Sequence, residues 1–377
     1  MSFFGVNVDN KELKDKKDDL CKTLNVISME VVSASAPCVL GESPHYCSVT
    51  NNIIYVDING KRILVYDLQS NVTTSMQLSQ MVGFAIPTTT TRKGGSLYLI
   101  VGLEDRIVEV NFTDRTIIRT IAEVPTNVPE ISNSRFNDGK ASPSGKLYAG
   151  YMHLKWREGN GGHFFRFDEN KYQFKTLLDS TESGLSNGLA WATVNDKSVM
   201  YLVDSLKNII TMYRTDDTAG DNEPENFDGS TPKDISGCCS EIKSKIEPIS
   251  IVYTLDDEYI NAGGMLDGMT IDNEGKLWCA VPGCSCILRI DPILKKVCYK
   301  LVVPIKKPTA CTFGGKNLDY LYITARNADA ANNEPNEHLW CCKLEGIKGV
   351  SAGNQVKINH QEKRCCFPDY FKFLSLH

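Results

Sequence analysis

A short unit that recurs along the chain constrains the fold more than any other feature of the sequence. In each copy an apolar strand is followed by a turn and by a second strand that ends in an aromatic or aliphatic pair. The copies lie roughly 40 to 70 residues apart, a spacing typical of four-stranded propeller blades. Clear examples are 51–57 (NNIIYVD), 144–150 (SGKLYAG), 196–204 (DKSVMYLVD), 273–280 (NEGKLWCA) and 316–324 (KNLDYLYIT). Six units are present, beginning near Val39, Val82, Ser134, Leu185, Gly263 and Pro308.

The local sequence pattern favours strands throughout. Short β-branched and aromatic runs alternate with clusters of Gly, Asn, Asp and Ser, and long apolar stripes of helical period are missing. We therefore predict an all-β fold, a six-bladed β-propeller with four-stranded antiparallel blades; a β-sandwich is the alternative. Residues 26–34 read as a strand that closes the ring by joining the last blade, which leaves few sheet edges free.

Three polar or atypical segments lie outside the repeat. We predict a polar N-terminal arm over 1–24, a single propeller over 25–358, and a tail rich in Cys and aromatic residues over 359–377. A polar insertion at about 216–247 interrupts the fourth unit and reads as a long surface loop. The tail is suited to docking on a blade or on a partner, and the sequence leaves both open.

Composition limits the classes of partner. The chain has 377 residues, 42% of them hydrophobic, which is enough for a large core, and a formal net charge of −5. That charge disfavours nucleic acid as a partner, because phosphate binding needs a clustered excess of Lys and Arg. No run approaches the roughly 18 apolar residues of a membrane helix, and the N-terminus lacks the apolar core of a signal peptide. We expect a cytoplasmic monomer without membrane or nucleic-acid partners, its cysteines present as free thiols.

Candidate site residues fall near the start of successive units, where innermost propeller strands line the channel. They are Glu42, Arg135, Asn137, Asn187 and Asp267. The chain has no G-x-S-x-G elbow and no Walker loop, which disfavours an activated serine and a phosphate cradle. Two alternatives stay open from the residues alone: the Asn-Gly and Asp-Gly pairs are often plain turns, and Arg135 could instead pair with Asp138.

The segments that carry these residues resemble those of the regucalcin, gluconolactonase and luciferin-regenerating enzyme family. The four segments are 40–46 (LGESPHY), 134–140 (SRFNDGK), 185–191 (LSNGLAW) and 265–272 (MLDGMTID). Further similarity is found at 201–205 (YLVDS), 274–278 (EGKLW) and 313–317 (FGGKN). The resemblance covers roughly 39–350 and supports the six-bladed propeller.

The resemblance also implies a site. Glu42, Asn187 and Asp267 would hold one divalent cation, and Asp267 would serve as the general base. Arg135 and Asn137 would contact the substrate, and Glu158 lies where lactonase-type relatives carry a substrate-facing Glu. Two anionic oxygens and one neutral oxygen suit Ca²⁺, Mg²⁺ or Mn²⁺, whereas Zn²⁺ is less natural for such a set.

The function implied is that of a metal-dependent lactonase, a hydrolase of a sugar lactone or a related small ester. Its partner would be that small molecule. One alternative is a non-catalytic calcium-binding regulatory protein of the regucalcin type. Another is a protein similar to luciferin-regenerating enzymes with a different small-molecule substrate. The substrate and the native metal are not fixed by the sequence.

Overall fold

Six small antiparallel sheets make up the protein. The computed structural model describes residues 24–89, 95–125, 128, 131–215, 246–327, 337–350 and 355–358. Within these ranges the strands form six sheets of four strands each. The first strand of each sheet contacts the first strands of both neighbouring sheets, so the sheets form a ring. The six-bladed propeller predicted from the repeat is confirmed, and the β-sandwich is excluded.

The blades follow the chain order, each running from its innermost to its outermost strand. Blade 1 consists of Gly41–Cys47 (β2), Asn52–Asp57 (β3), Arg62–Asp67 (β4) and Val72–Gln77 (β5), and blade 2 of Phe84–Pro87 (β6), Tyr98–Gly102 (β7), Arg106–Asn111 (β8) and Thr116–Glu123 (β9). Blade 3 consists of Ser134–Ala141 (β10), Leu147–His153 (β11), His163–Asp168 (β12) and Gln173–Leu178 (β13), and blade 4 of Ser186–Val194 (β14), Lys197–Asp204 (β15), Ile209–Arg214 (β16) and Pro248–Thr254 (β17). Blade 5 consists of Met269–Ile271 (β18), Leu277–Val281 (β19), Cys286–Asp291 (β20) and Lys296–Val302 (β21), and blade 6 of Pro308–Gly314 (β22), Tyr320–Ala325 (β23), Trp340–Leu344 (β24) and Val26–Val31 (β1). Within the described ranges the helical elements are the α-helix Asp257–Asn261 (α1) and the 3-10 turns Ile131–Asn133 and Trp156–Glu158.

The ring is closed by the strand nearest the N-terminus. Strand β1 pairs antiparallel with β24, with Met29 opposite Cys342 and Val31 opposite Trp340. This pairing supplies the outer strand of the last blade and satisfies an edge that would otherwise be open. The closure expected for 26–34 is therefore confirmed.

Hydrophobic clusters between adjacent blades hold the ring together. Each of the six clusters in the described chain draws its side chains from two neighbouring blades. Phe84 of blade 2 meets Phe136 of blade 3 edge to face at 5.8 Å, and Trp278 meets Phe313 in the same way at the same distance. Full burial of a large apolar side chain contributes about 1.5–3 kcal/mol, so these contacts fix the blades rigidly around the channel.

Two parts of the sequence prediction need correction or fall outside the described residues. The fifth unit begins its strand at Met269 rather than near Gly263, because α1 and a loop through Gly263, at φ +83°, precede it. The predicted insertion at 216–247 falls between β16 and β17, and its residues 216–245 lie outside the described residues, as do the tail at 359–377 and all of the arm except Leu24.

The nine cysteines within the described ranges are free thiols. None of the helices in those ranges has the length and apolar character needed to span a bilayer. The cytoplasmic location and the monomeric state stay predictions.

Candidate active site at the channel mouth

A pocket of about 280 Å³ opens at one mouth of the central channel. Five of the six predicted site residues line it: Glu42, Arg135, Asn137, Asn187 and Asp267. Other polar side chains in the lining come from residues that the sequence analysis missed, namely Arg157, Lys307, Thr309 and Arg326. Four different blades thus contribute the predicted residues to one cavity.

Bulges in the innermost strands aim these side chains at the pocket. In blades 1, 3 and 4, two residues of the first strand oppose one residue of the second. Such a bulge bends the strand and redirects the side chains beside it. The three shifts lie between Glu42 and His45, between Phe136 and Gly139, and between Ser186 and Leu189.

The Asn-Gly and Asp-Gly pairs are not hairpin turns in this fold. A Cβ on Gly188 would lie 2.3 Å from the backbone nitrogen of Met269, and one on Gly268 would lie 2.2 Å from the Cβ of Ala310. Only glycine permits this approach of one blade to the next. The two glycines therefore bring the preceding Asn187 and Asp267 together.

Two buried carboxylates, those of Glu42 and Asp267, line the pocket, and the charge of one acts on the other. Burial and the charge of Asp138 raise the pKa of Glu42, although Ser43, in a left-handed conformation at φ +48°, donates a backbone N–H to it at 3.1 Å. Burial, followed by the charges of Glu42 and Asp138, raises the pKa of Asp267 well above its usual range. Neither carboxylate forms an ion pair within the described residues. The charge of Arg326 opposes both shifts without cancelling them, and a bound cation would stabilise the charged pair further.

Asn187 completes a set of oxygen donors. Its Nδ2 donates to Ser205 Oγ at 3.0 Å, which leaves Oδ1 buried without a hydrogen-bond partner among the described residues. A buried carbonyl oxygen without a partner costs free energy unless a ligand satisfies it. No group of three His, Cys, Asp or Glu side chains converges as a metal site in the described part of the chain. The set found here instead combines two carboxylates with an amide, and it fits a hard divalent cation.

Arg135 and Asn137 form one buried hydrogen-bonded unit beside the carboxylates. Arg135 Nη1 donates to the carbonyl of Phe136 and to Asn137 Oδ1, both at 2.9 Å. Asn137 Nδ2 donates to the carbonyl of Ser186 at 3.1 Å, which ties blade 3 to blade 4. Burial lowers the pKa of Arg135 to about 10, against the attraction of Glu42 and Asp267.

Asp138 takes its hydrogen bonds from other partners than Arg135. Its Oδ1 accepts from Ser43 Oγ at 3.2 Å and from the N–H of Gly139 at 2.8 Å, and the charge of Lys140 stabilises its ionised form. The ion pair of Arg135 with Asp138 that the sequence left open is not formed among the described residues.

Lys140 fills the channel beneath the pocket, a role that the sequence analysis missed. Its Nζ donates to the carbonyls of Leu189 and Met269, both at 2.9 Å. Burial lowers the pKa of Lys140, and the charge of Asp138 opposes that shift. The ammonium group thus bridges blades 3, 4 and 5. Its role could have been suspected from the sequence because Lys140 lies two residues after Asp138 on an innermost strand.

Glu158 is the predicted residue that the structure does not place in the pocket. It belongs to the exposed 3-10 turn Trp156–Glu158, and its two predecessors line the cavity instead. The guanidinium carbon of Arg157 stacks 4.0 Å above the centroid of the Trp156 ring. A contact of Glu158 with substrate stays a prediction.

Comparison with known proteins agrees with this geometry. A family model described as "SMP-30/Gluconolactonase/LRE-like region" matches residues 40–327. The chain belongs to this family. The matched range contains all six predicted site residues, and it begins just before the first blade.

The matches to individual proteins cover most of the length of each of these relatives. The Bacillus subtilis protein YvrE, named as a candidate sugar lactone lactonase, is 28% identical over 81% of this chain and 89% of its own. Regucalcin of Danio rerio is 29% identical over 82% of this chain and 92% of its own. A solved luciferin-regenerating enzyme superposes with a TM-score of 0.69 at 26% identity, covering 88% of this chain and 99% of its own.

Proposed function

We propose that the protein is a divalent-metal-dependent hydrolase that opens a sugar lactone or a related small ester. The observation that carries the proposal is the pairing of two mutually repelling buried carboxylates, Glu42 and Asp267, with the unpartnered Oδ1 of Asn187. Membership in a family that includes gluconolactonases, and similarity to YvrE, support the substrate class.

Glu42, Asn187 and Asp267 would hold the cation. All three present oxygen, and two of the three are anionic, which favours Ca²⁺, Mg²⁺ or Mn²⁺ over Zn²⁺. When bound, the cation supplies a Lewis acid that polarises the lactone carbonyl. A cation there would also lower the pKa values of the two carboxylates, which burial and then the charges of neighbouring carboxylates raise.

Asp267 is the proposed general base. Its carboxylate accepts a proton from the water that attacks the carbonyl carbon, and the ring C–O bond then breaks. The proton returns from Asp267 to the departing ring oxygen, which leaves an open-chain hydroxy acid. Burial raises the pKa of Asp267 in the metal-free protein, and a bound cation would keep the carboxylate ionised so that it can accept the proton.

Arg135 and Asn137 are the proposed contacts to the substrate. Arg135 is held rigidly by two hydrogen bonds from one of its nitrogens, so its remaining N–H groups are available to substrate oxygens without a large loss of entropy. Glu158, on the exposed turn at the rim, would act only on a substrate that reaches beyond the mouth.

Hydrolysis of a small panel of aldonolactones by metal-stripped protein tests the proposal. Ca²⁺, Mg²⁺, Mn²⁺ and Zn²⁺ are added back singly, and the same assays are run on Asp267→Ala and on Glu123→Ala, an exposed carboxylate on β9. We expect a metal to restore turnover in the native chain and in Glu123→Ala but not in Asp267→Ala.

Tight metal binding without turnover of any lactone or ester would contradict the hydrolase. That outcome would favour the calcium-binding regulatory protein, or an enzyme with a different small-molecule substrate such as the luciferin-regenerating type.

A further inference from the structure

The pocket carries the opposite charge to the chain around it. The whole chain has a net charge of −5, yet four cationic side chains line the pocket against two carboxylates. The carboxylates are Glu42 and Asp267, the groups assigned to the metal. A concave site with low-dielectric walls focuses such a field on its ligand. The excess of positive charge therefore favours a negatively charged ligand in the pocket.

Arg326 is one of the cationic residues that line the pocket together with the proposed metal donors. It follows β23 of blade 6, and its backbone N–H donates to the carbonyl of Lys307 at 2.9 Å, which fixes its position. The side chain is half-buried and forms no hydrogen bond or ion pair with a described residue. Its charge attracts Glu42 and Asp267 but repels Arg135.

Arg157 also lines the pocket, from the exposed turn Trp156–Glu158, and it stacks on Trp156. Both guanidinium groups belong to the lining of the one pocket, and although Arg157 is exposed, partial burial and then the charge of Arg326 lower its pKa. Arg157 also lacks an ion-pair partner in the described part of the chain. Arg326 is attracted by Glu42 and Asp267, the carboxylates assigned to the metal; once a cation balances these carboxylates, an anion between the two guanidinium groups would offset their repulsion.

A neutral sugar lactone does not account for this pair. Its hydroxyl groups need acceptors as well as donors, whereas a guanidinium group offers donors only. Carboxylate and phosphate oxygens match the guanidinium fork in geometry and in charge. The metal donors cannot neutralise the arginines, because a bound dication already balances both carboxylates.

We propose that the preferred substrate is a lactone that carries an anionic substituent, a carboxylate or a phosphate, which Arg326 and Arg157 bind. This inference rests on the proposed lactonase function and adds the charge of the substrate to it. The turn Trp156–Glu158 thus presents a cation to the ligand rather than the carboxylate of Glu158.

The kinetic test compares three matched lactones. They share one ring and differ at the end of the side chain, which is a hydroxymethyl group, a carboxylate or a phosphate monoester. The value of kcat/KM is measured for the native chain, Arg326→Met, Arg326→Lys and Arg157→Met. Arg214→Met, an exposed arginine on β16 outside the pocket, is the matched control.

We expect the native chain to prefer one or both anionic lactones over the neutral one. Arg326→Met should reduce that preference about tenfold, as loss of a charge-assisted hydrogen bond predicts, with partial rescue in Arg326→Lys and no change in Arg214→Met. Comparison of the carboxylate lactone with the phosphate lactone shows which anion the two arginines bind. Equal turnover of all three lactones, or a preference that Arg326→Met leaves intact, would overturn the inference while the lactonase function stands.

A binding test is independent of turnover. Calorimetry with Ca²⁺-loaded protein compares an aldonate with the corresponding aldarate, open-chain acids that differ by one carboxylate. We expect tighter binding of the aldarate, weakened by Arg326→Met and by added salt. If this holds while no lactone is opened, the anion site is supported and the hydrolase fails. Equal affinity for the two acids contradicts the anion site directly.

Discussion

Asp267 and Asp272 are two buried aspartates of blade 5, five residues apart, and their surroundings differ. Asp272 accepts hydrogen bonds from the N–H groups of Glu274 and Lys276, from Trp278 Nε1 at 2.8 Å and from Arg289 Nε at 2.7 Å. Asp267 has no such set, and burial together with Glu42 raises its pKa. The fold satisfies its structural carboxylates internally. It leaves the carboxylates of the channel mouth to be completed from outside.

The same contrast holds in the other blades. Asp57 and Asp204 end the second strands of blades 1 and 4, and each accepts backbone N–H groups from the loop before its own first strand and pairs with a basic side chain. On the first strands of the same blades, Asn187 keeps an Oδ1 that no described residue satisfies, and Glu42 accepts one backbone N–H but forms no ion pair with a described residue. In blades 1 and 4 the second strands therefore carry internally satisfied acids, and the first strands carry the proposed metal donors.

The largest effect is expected at Asp267 itself. Asp267→Ala should reduce kcat/KM for a lactone by about 10²- to 10⁴-fold, because it removes the general base as well as a metal donor. Steady-state kinetics at saturating metal measures this, with far-UV circular dichroism to show that the propeller is intact. Activity within a few-fold of the native chain would end the assignment of Asp267 as the base.

Substitution of Asp272 should lower the stability of the fold rather than the activity. Asp272→Ala leaves Arg289 buried beside Glu274 alone and Trp278 Nε1 without its acceptor, and we expect a loss of about 3–5 kcal/mol in the free energy of unfolding. Urea titration measures the loss, and Asp272→Asn is the milder variant if the first does not fold. A loss of metal affinity in a folded Asp272 variant would break the distinction between the two aspartates.

The stability of the metal-free protein should fall as the pH rises. Glu42 and Asp267 have raised pKa values, so the folded state keeps protons that the unfolded chain releases above about pH 4. The stabilisation is complete below that pH and is lost towards the raised pKa values. Asp267→Asn, which is always neutral, should be about 1–3 kcal/mol more stable than the native chain at pH 8 without metal.

Thermal unfolding at pH 5 and pH 8, with and without Ca²⁺, measures this difference. Calcium should reverse the order of the two proteins at pH 8, because only the native chain gains from the cation. A metal-free native chain that becomes more stable with rising pH than Asp267→Asn would contradict the coupled carboxylates.

The smallest expected effect concerns Ser205. Its hydroxyl accepts from Asn187 Nδ2 and so orients Oδ1 towards the pocket. Ser205→Ala should weaken metal binding about tenfold, as is usual for an outer partner of a metal ligand. Competition with a chelating dye measures the affinity, and Ser142→Ala, a buried hydroxyl in a turn of blade 3, should leave it unchanged. Equal affinities in both variants would show that the amide needs no such support.

The ring could be predicted from the sequence because it follows the repeat. Glu42, Asn187 and Asp267 stand near the start of their units, but their roles as metal donors came from the family resemblance and stay predictions. The pairs of Asn187 and Asp267 with glycine were ambiguous, since their role depends on how closely Met269 and Ala310 of neighbouring blades approach.

Residues outside the repeat could not be predicted in the same way. Whether Glu158 or Arg157 faces the pocket is decided by one residue in a 3-10 turn, and no strand periodicity extends into that turn. Arg326 lies just after β23, where its N–H donates to the carbonyl of Lys307 ahead of β22 in the same blade, and strand periodicity does not show that its side chain lines the pocket. The role of Lys140 was missed because a lysine on an innermost strand gives the same sequence pattern whether its side chain lies in the channel or at the channel mouth.

Direct titration of Ca²⁺ into metal-free protein tests the central claim, that the channel mouth is completed by one cation. Calorimetry at pH 7.5 should give one site per chain in the native protein and in Asp272→Asn, and no comparable site in Glu42→Gln or Asp267→Asn. Binding that survives both of the latter substitutions would place the cation elsewhere and contradict the account.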